Sequence, residues 1–325
     1  PNLQHITSLQ SIQRNDFLWM DRFTIRNLEL IQGSNEGNHT LLKVLDNTAS
    51  PMGARMLKRW ILFPLIDIHK INERLELVET LIKETDLRND LVQAIKLCGD
   101  IERLVAKIPT KKISPREVLQ LAKGLKQVQL VKDWCITHSN HYLQRIGDAL
   151  NPCPIIADKI FKEITENPPA TAVKGGFINN GITPELDELR EISQSGKAYL
   201  AGMQAAVAEK TGITSLKIGF NNVFGYYLEV TNSHKNRVPE SWMRKQTLAN
   251  AERYITPELK EYEEKITGAE EKILALEQRL YDQLLNELFD YLQPVQTNGN
   301  LLAILDCLCC FAHNAIHYQY KKPLL

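Results

Sequence analysis

The same four residues, Thr-Pro-Glu-Leu, open two long helical patterns, at Thr183–Leu186 and again at Thr256–Leu259. Each start is chemically complete. The Thr hydroxyl can cap the first free amides, Pro sits where its missing N–H costs nothing, and Glu meets the positive end of the helix dipole. The first pattern, Pro184 to about Glu209, would span about 39 Å at roughly 1.5 Å per residue. Its apolar side reads Leu189, Ile192, Tyr199, Met203 and Val207. The second, Pro257 to about Leu292, would reach roughly 54 Å on the same rise. There Leu259, Tyr262, Ile266, Ile273, Leu276, Leu280, Leu284 and Leu288 recur three and four apart, a coiled-coil-like seam. The simplest partner for that seam is the outgoing helix, packed antiparallel. The carboxylates Glu258, Glu261, Glu263, Glu264, Glu270, Glu271 and Glu277 are expected to face water.

Between the two arms the pattern changes in kind. Leu216, Ile218 and Phe220 alternate with Lys217 and Gly219, and Tyr226–Val230 reads as a second strand. Asn221–Gly225 is a plausible hairpin connection, with Gly225 free to take positive φ. The cations Lys217, Lys235, Arg237, Arg244, Lys245 and Arg253 outnumber the acids Glu229, Glu240 and Glu252. The neutral donors Asn221, Asn222, Asn232, Gln246, Thr247 and Asn250 are interleaved with them. Cations and neutral donors on a small rigid sheet suit phosphate oxygens. A solvated surface or a protein-docking tip would carry a similar excess.

The remainder is mostly helical. Phe23–Ile31 is the one strand candidate near the start, and Gly33–Asn38 is a loop by composition. Ser50-Pro51 opens a helix that Pro64 stops. Asp67 caps the next, with Ile71, Leu75, Val78 and Ile82 at helical spacing. Ser114-Pro115-Arg116-Glu117 is a capping box followed by Val118, Leu121, Leu125 and Val128. Asn151–Pro154 and Asn167–Pro169 break the chain.

Across 325 residues charged side chains make up 24% and balance to zero, so any nucleic-acid surface must be local. No apolar run approaches the roughly 20 residues of a membrane span, and no secretory pattern opens the chain. Cys98, Cys135, Cys153, Cys307, Cys309 and Cys310 form no Cys-x-x-Cys pair, which points to reduced, buried thiols in a cytoplasmic protein. Cys309, His313 and His317 share helical spacing, but their apolar neighbours make core residues the better reading than a zinc site. Asp133, His138 and Ser139 lack the strand–turn–helix frame of a hydrolytic triad. Arg55, Lys58 and Arg59 are read as stems covering apolar surface. The chain begins at Pro1 and is expected to be a piece of a longer protein.

Several motifs together resemble a known family. These are Ile218–Asn221 with Gly225–Tyr227, then Met243–Leu248, Asn250–Tyr254 and Pro257–Glu263. In the first half they are Arg26–Leu30 with Asp21, Thr40–Leu42, Leu45-Asp46, Pro51–Trp60 and Gly99–Leu104. In order and along the whole chain they are similar to the MutS family of DNA mismatch-recognition proteins. The resemblance implies a mainly α fold: a helical core and long antiparallel lever helices, with a small four-stranded antiparallel clamp inserted at their tip. It implies residues 1–196 as core and outgoing lever, 197–256 as clamp, and 257–325 as return lever and core. It also implies a bacterial, nucleoid-associated homodimer that closes on double-stranded DNA and has a MutL-type repair partner. The clamp would touch the DNA backbone through Lys217, Asn221, Arg244, Lys245, Gln246, Thr247 and Asn250, with Tyr226 and Tyr227 as packing residues.

No Gly-x-x-x-x-Gly-Lys-Ser/Thr run occurs, so ATP and Mg²⁺ are expected only for the longer parent, an ATPase, and catalysis is not expected here. Phe161-Lys162-Glu163 lies on a helical pattern and is not read as the family's Phe-x-Glu mismatch probe. A paralogue clamping recombination intermediates and a helical protein-docking scaffold stay open as alternatives.

Overall fold

The computed structural model describes residues 17–33, 39–221, 223 and 225–325, with side chains 194–198, 262 and 264–267 left aside. The first sixteen residues, most of the loop expected at Gly33–Asn38, and Asn222 and Phe224 of the expected hairpin lie outside that description. Of the described residues 65% are helical, and the strands among them form one small antiparallel sheet, the mainly α class expected. It divides into two compact units: residues up to Thr171 together with Gln283–Leu325, and Ala172–Asp282.

In the first unit, helices α1 (Arg22–Asn27), α2 (Leu41–Leu45), α3 (Pro51–Leu62), α4 (Ile68–Lys83), α5 (Thr85–Cys98) and α6 (Ile101–Lys107) are followed by α7 (Pro115–Thr137), α8 (His141–Ala149) and α9 (Pro154–Glu163). The long C-terminal helix α12 (Leu292–His317) packs against α3, α4, α5 and α6, while α7 packs against α5, α8 and α9. The start signals act as their chemistry requires. Ser114 and Glu117 form the reciprocal capping box, and Ser50, Asp67 and Thr40 each cap a helix. Val118, Leu121, Leu125 and Val128 of α7 are all fully buried. On α4 the deepest face is centred on Leu77 and Leu81; Ile71, Leu75 and Val78 instead line a half-open groove with Trp60 and Phe311.

The strand expected at Phe23–Ile31 is instead the short helix α1 followed by a turn over residues 28–31. The Asp21 carboxylate accepts from Thr24 N at 2.7 Å, and this cap outweighs the β preference of the Thr-Ile pair.

Helix α12 also corrects the hydropathy expectation. The helical stretch Gly268–His317 contains a window of mean hydropathy 1.4, long and apolar enough by length and composition to cross a membrane. However, 61% of that window is buried inside the protein. Its buried polar residues recur every eight positions, and each fastens a loop. Asn298 exchanges two hydrogen bonds with the backbone of Asn151, and Asn314 bonds Asn47 and the Leu45 carbonyl. Asp306 accepts from Ala49 N at 2.8 Å, Ser50 N at 2.9 Å and Ser50 Oγ at 2.6 Å. Burial pushes the Asp306 carboxyl above the usual range, against the pull of those three donors. This is a core helix with polar registration points.

All six cysteines are free and buried, and burial pushes the thiols up, to about 12 for Cys98 and Cys135. Cys309 is buried while His313 and His317 are exposed, so the three do not converge on a metal. Glu84 holds His138, Gln129 holds Asp133, and Arg55 binds Asp100 and Glu102.

In the second unit, α10 (Pro184–Thr211) runs out, the strands follow, and α11 (Pro257–Leu288) begins the return. Thr183 Oγ1 accepts from Leu186 N and Thr256 Oγ1 from Leu259 N, so the twin Thr-Pro-Glu-Leu starts are built alike. The helices pair antiparallel. Arg190 meets Glu277, Ser193 meets Glu270, and Leu200 shares a buried cluster with Leu259. The buried side of α10 is Leu186, Ser193 and Leu200, with half-buried Val207, a seven-residue repeat one step beyond the expected Ile192 and Tyr199, which are exposed.

Glu277 likewise departs from the expected solvated face. It is fully buried, accepting from Arg190 Nη2 at 2.6 Å and Gly176 N at 2.6 Å. Gly176 has φ +74°, a left-handed conformation that glycine adopts without strain.

Because Glu277 is buried, Arg190→Met should cost on the order of 3 kcal/mol by leaving an uncompensated carboxylate. Urea unfolding followed through Trp242, the one tryptophan of this unit, checks it. A loss below about 1 kcal/mol would mean that the pair behaves as a solvent-exposed one. Two helical glycines should respond with opposite signs. A Cβ on Gly53 would collide with the Asp306 carboxylate, so Gly53→Ala should destabilise by about 1–3 kcal/mol. At Gly202 an added Cβ meets nothing within 4 Å, and Gly202→Ala should stabilise by up to about 1 kcal/mol. Thermal melts of the two variants separate these outcomes.

Candidate nucleic-acid interface

The strands β1 (Lys217–Asn221), β2 (Gly225–Thr231), β3 (Met243–Thr247) and β4 (Ala251–Ile255) form one antiparallel sheet in the order β1-β2-β4-β3. Asn221 Oδ1 accepts from Val223 N at 2.8 Å and Gly225 takes φ +80°, which closes the first hairpin. The ring of Tyr227 lies over Gly219, where a Cβ would come within 2.6 Å of it, so this close approach needs glycine.

Period-two alternation gives the sheet two distinct faces. On one, Ile218, Leu228, Val230 and Tyr254 pack with Leu200 of α10, Leu259 of α11, and Ile213 and Leu216 of the connection from α10 to β1. Trp242 closes edge-on against Tyr254 at 5.9 Å, and Tyr226 against Phe220 at 4.9 Å. On the other, Lys217, Glu229, Arg253 and Gln246 stand opposite one another across all four strands. Arg253 donates to Glu229 at 3.0 Å and to Gln246 Oε1 at 2.9 Å, and its guanidinium lies 4.3 Å over buried Tyr227.

Strand β3 is an edge, and its register slips between Arg244 and Gln246. Lys245 is the extra residue of this bulge, and it is exposed. The slip divides the strand's side chains between the faces. Arg244 pairs with Tyr254 and Thr247 with Glu252 on the packed side, while Gln246 joins Arg253 on the open side. The β3–β4 turn that carries Asn250 is held by Asn232, which donates to Ala249 O and, through its backbone, to Asn250 O.

The seven expected contact residues therefore do not form one patch. Arg244, Lys245, Gln246, Thr247 and Asn250 line the β3 edge and the turn beyond it, and all but half-buried Gln246 are exposed. Lys217 lies on the opposite edge strand. Asn221 sits at the other end of the sheet from Asn250, with its side-chain oxygen engaged in the hairpin.

A residue that charge counting treats as an opponent lies at the centre. Glu252 is almost wholly buried, its side chain 3% exposed. Oε1 takes Lys235 Nζ at 2.7 Å and Arg244 Nη1 at 3.3 Å, and Oε2 takes the Tyr254 hydroxyl. The Lys235 ammonium, then the tyrosine hydroxyl, hold the Glu252 carboxyl below its usual range. Burial, then the carboxylate, push the Tyr254 phenol up to about 12. Period-two counting is the sequence signal for this arrangement: Glu252 stands two residues before Tyr254 on a strand and must share its packed face. Arg237 is engaged elsewhere, donating to Gly212 O at 2.7 Å at the end of α10. Next to the edge, a groove of about 940 Å³ runs between the sheet and the start of α11, lined by Met243, Lys245, Ile255, Lys260, Glu263 and Glu271. Its mixed charge makes it a poor phosphate channel.

The family model described as MutS domain III matches residues 23–312. A DNA mismatch repair protein MutS of Phocaeicola vulgatus is 51% identical over 321 residues, 99% of this chain and 37% of the relative. That of Parabacteroides distasonis is 49% identical over 324 residues, again 37% of its own length, and that of Cytophaga hutchinsonii is 45% identical over 321. The chain thus spans a little over a third of the length of the curated relatives it matches. With a family model spanning both the helical unit and the sheet, and relatives about half identical along nearly the whole chain, the chain belongs to the MutS family of DNA mismatch repair proteins, through their domain III.

Proposed function

We propose that this chain is the core, lever and clamp of a bacterial mismatch-repair MutS protein, and that its sheet, taken with its flanks as residues 197–256, binds duplex DNA by the backbone alone. The observation that carries this reading is the β3 edge. Its bulge turns Lys245 outward and lets one strand offer donors from both faces, Arg244 and Thr247 on one side and Gln246 on the other. A protein edge set against a phosphate ridge needs that arrangement, whereas reading bases would need an element narrow and long enough to enter a groove. Arg244, Lys245, Gln246, Thr247 and Asn250 would make the primary contacts. Lys217 and Asn221 would reach only a backbone that curves past the opposite edge or the first hairpin. Positive charge concentrated there lets a chain of zero formal net charge bind a polyanion locally.

For the whole protein, the same reading makes α10 and α11 the link from the sheet to an ATPase that uses ATP and Mg²⁺. It also pairs two such chains around mismatched duplex and gives them a MutL-type partner. These assignments rest on the family relationship. The buried Arg190–Glu277 pair suits a link of this kind, because a joint that transmits motion must itself be stiff.

Arg244→Gln combined with Lys245→Gln should remove two phosphate contacts. The slope of log K against log salt should then become shallower by about 1.8, with affinity falling at least about tenfold near physiological salt. Fluorescence anisotropy on matched and mismatched duplexes should show the same loss on both. An unchanged affinity, or a loss differing more than tenfold between the two duplexes, would contradict backbone-only binding.

A further inference from the structure

Resting on the backbone-binding reading above, we infer that Glu252 is a positioning residue that gathers Lys235 and Arg244 into a two-cation cradle for a phosphodiester group, which makes Lys235 a contact residue of the sheet.

The geometry is that of a buried anchor beneath two exposed heads. The Glu252 side chain is 3% exposed, whereas those of Lys235 and Arg244 are 52% and 58% exposed. Both cations bond the same oxygen, Oε1, and Tyr254 occupies Oε2. Each oxygen of the carboxylate therefore has a donor within the protein. Lys235 and Arg244 keep further N–H groups beyond those spent on Glu252, since an ammonium carries three and a guanidinium five. Two cations on one carboxylate leave a net positive charge at the surface, held at a fixed place.

The pieces come from three segments, which argues against an incidental surface contact. Lys235 belongs to the β2–β3 connection, Arg244 to β3, and Glu252 and Tyr254 to β4. The connection is itself pinned on both sides of Lys235. Asn232 holds the β3–β4 turn, and Arg237 holds the carbonyl of Gly212. A lysine that merely solvates a loop would not need its loop fastened at two points.

The alternative is that Glu252 is only a counter-charge, and the two readings differ in sign. A counter-charge weakens attraction for a polyanion, so its removal should tighten DNA binding. A positioning anchor removes rotamer freedom from two long side chains before the ligand arrives. Its loss makes binding bear that ordering, and affinity should fall even though the protein has become more positive.

The test is anisotropy with a short labelled duplex over a range of salt, with melting curves confirming that each variant is folded. Glu252→Gln should weaken binding at least about threefold. Lys235→Gln should weaken it and make the salt slope shallower by about 0.9, the value for one phosphate contact. Lys235→Gln and Arg244→Gln together should depart from the product of the single losses by about threefold or more, because the two serve one phosphate. Tighter binding by folded Glu252→Gln overturns the inference, as does an unchanged slope for Lys235→Gln. If Glu252→Gln does not fold, the Lys235–Arg244 cycle decides on exposed positions, and independent losses overturn the inference. A wild-type chain with no salt-dependent duplex binding would instead remove the clamp reading itself, and the cradle with it.

Discussion

A sheet inserted between two helices imposes one demand: the chain must leave and return at neighbouring points, so the helices that carry it have to be held side by side. The buried Arg190–Glu277 pair, with Gly176 N on the same carboxylate, supplies a contact that cannot slip by a turn without stranding a charge. Nearer the sheet the demand is met by apolar packing of Leu200 and Leu259 with Ile213, Leu216, Leu228 and Val230. One end of the pair is thus registered by a polar lock and the other by a shared core. Polar registration recurs in the helical unit, where Asn298, Asp306 and Asn314 are the polar residues of α12's otherwise apolar buried side.

Charge is used sparingly on the sheet. Of its six cations, Arg237 and Arg253 are engaged in holding the fold, and Lys235 and Arg244 are gathered over one buried carboxylate. The cations offered outward are consequently few, and two of them share one buried anchor. That is the property a backbone clamp requires, since a diffuse cationic surface would bind any polyanion in any orientation.

Much of this was legible from the residues, because it depends on local chemistry. Caps at Ser50, Asp67, Ser114, Thr183 and Thr256 work through bonds two or three residues away, and the hairpin at Gly225 needs only a positive φ. What escaped was set by tertiary partners. Glu277 reads as one of many solvent-facing acids until Arg190 is brought to it across the helix pair. The stripe on α10 lies one position from the expected Ile192 and Tyr199, a step set by the facing helix. At Phe23–Ile31 a cap outweighed a β-rich composition. The grouping of contact candidates was blurred by the bulge at Lys245, which swaps faces midway along a strand and has no marker in composition.

In the proposed complex the β3 edge and the β3–β4 turn meet the duplex, and amide chemical-shift mapping on addition of a short duplex reads that contact residue by residue. Shifts should concentrate between Met243 and Asn250 and at Lys235, disappear at high salt, and keep their pattern when the base sequence is changed. Shifts centred on the helical unit, or a pattern that follows the base sequence, would contradict it.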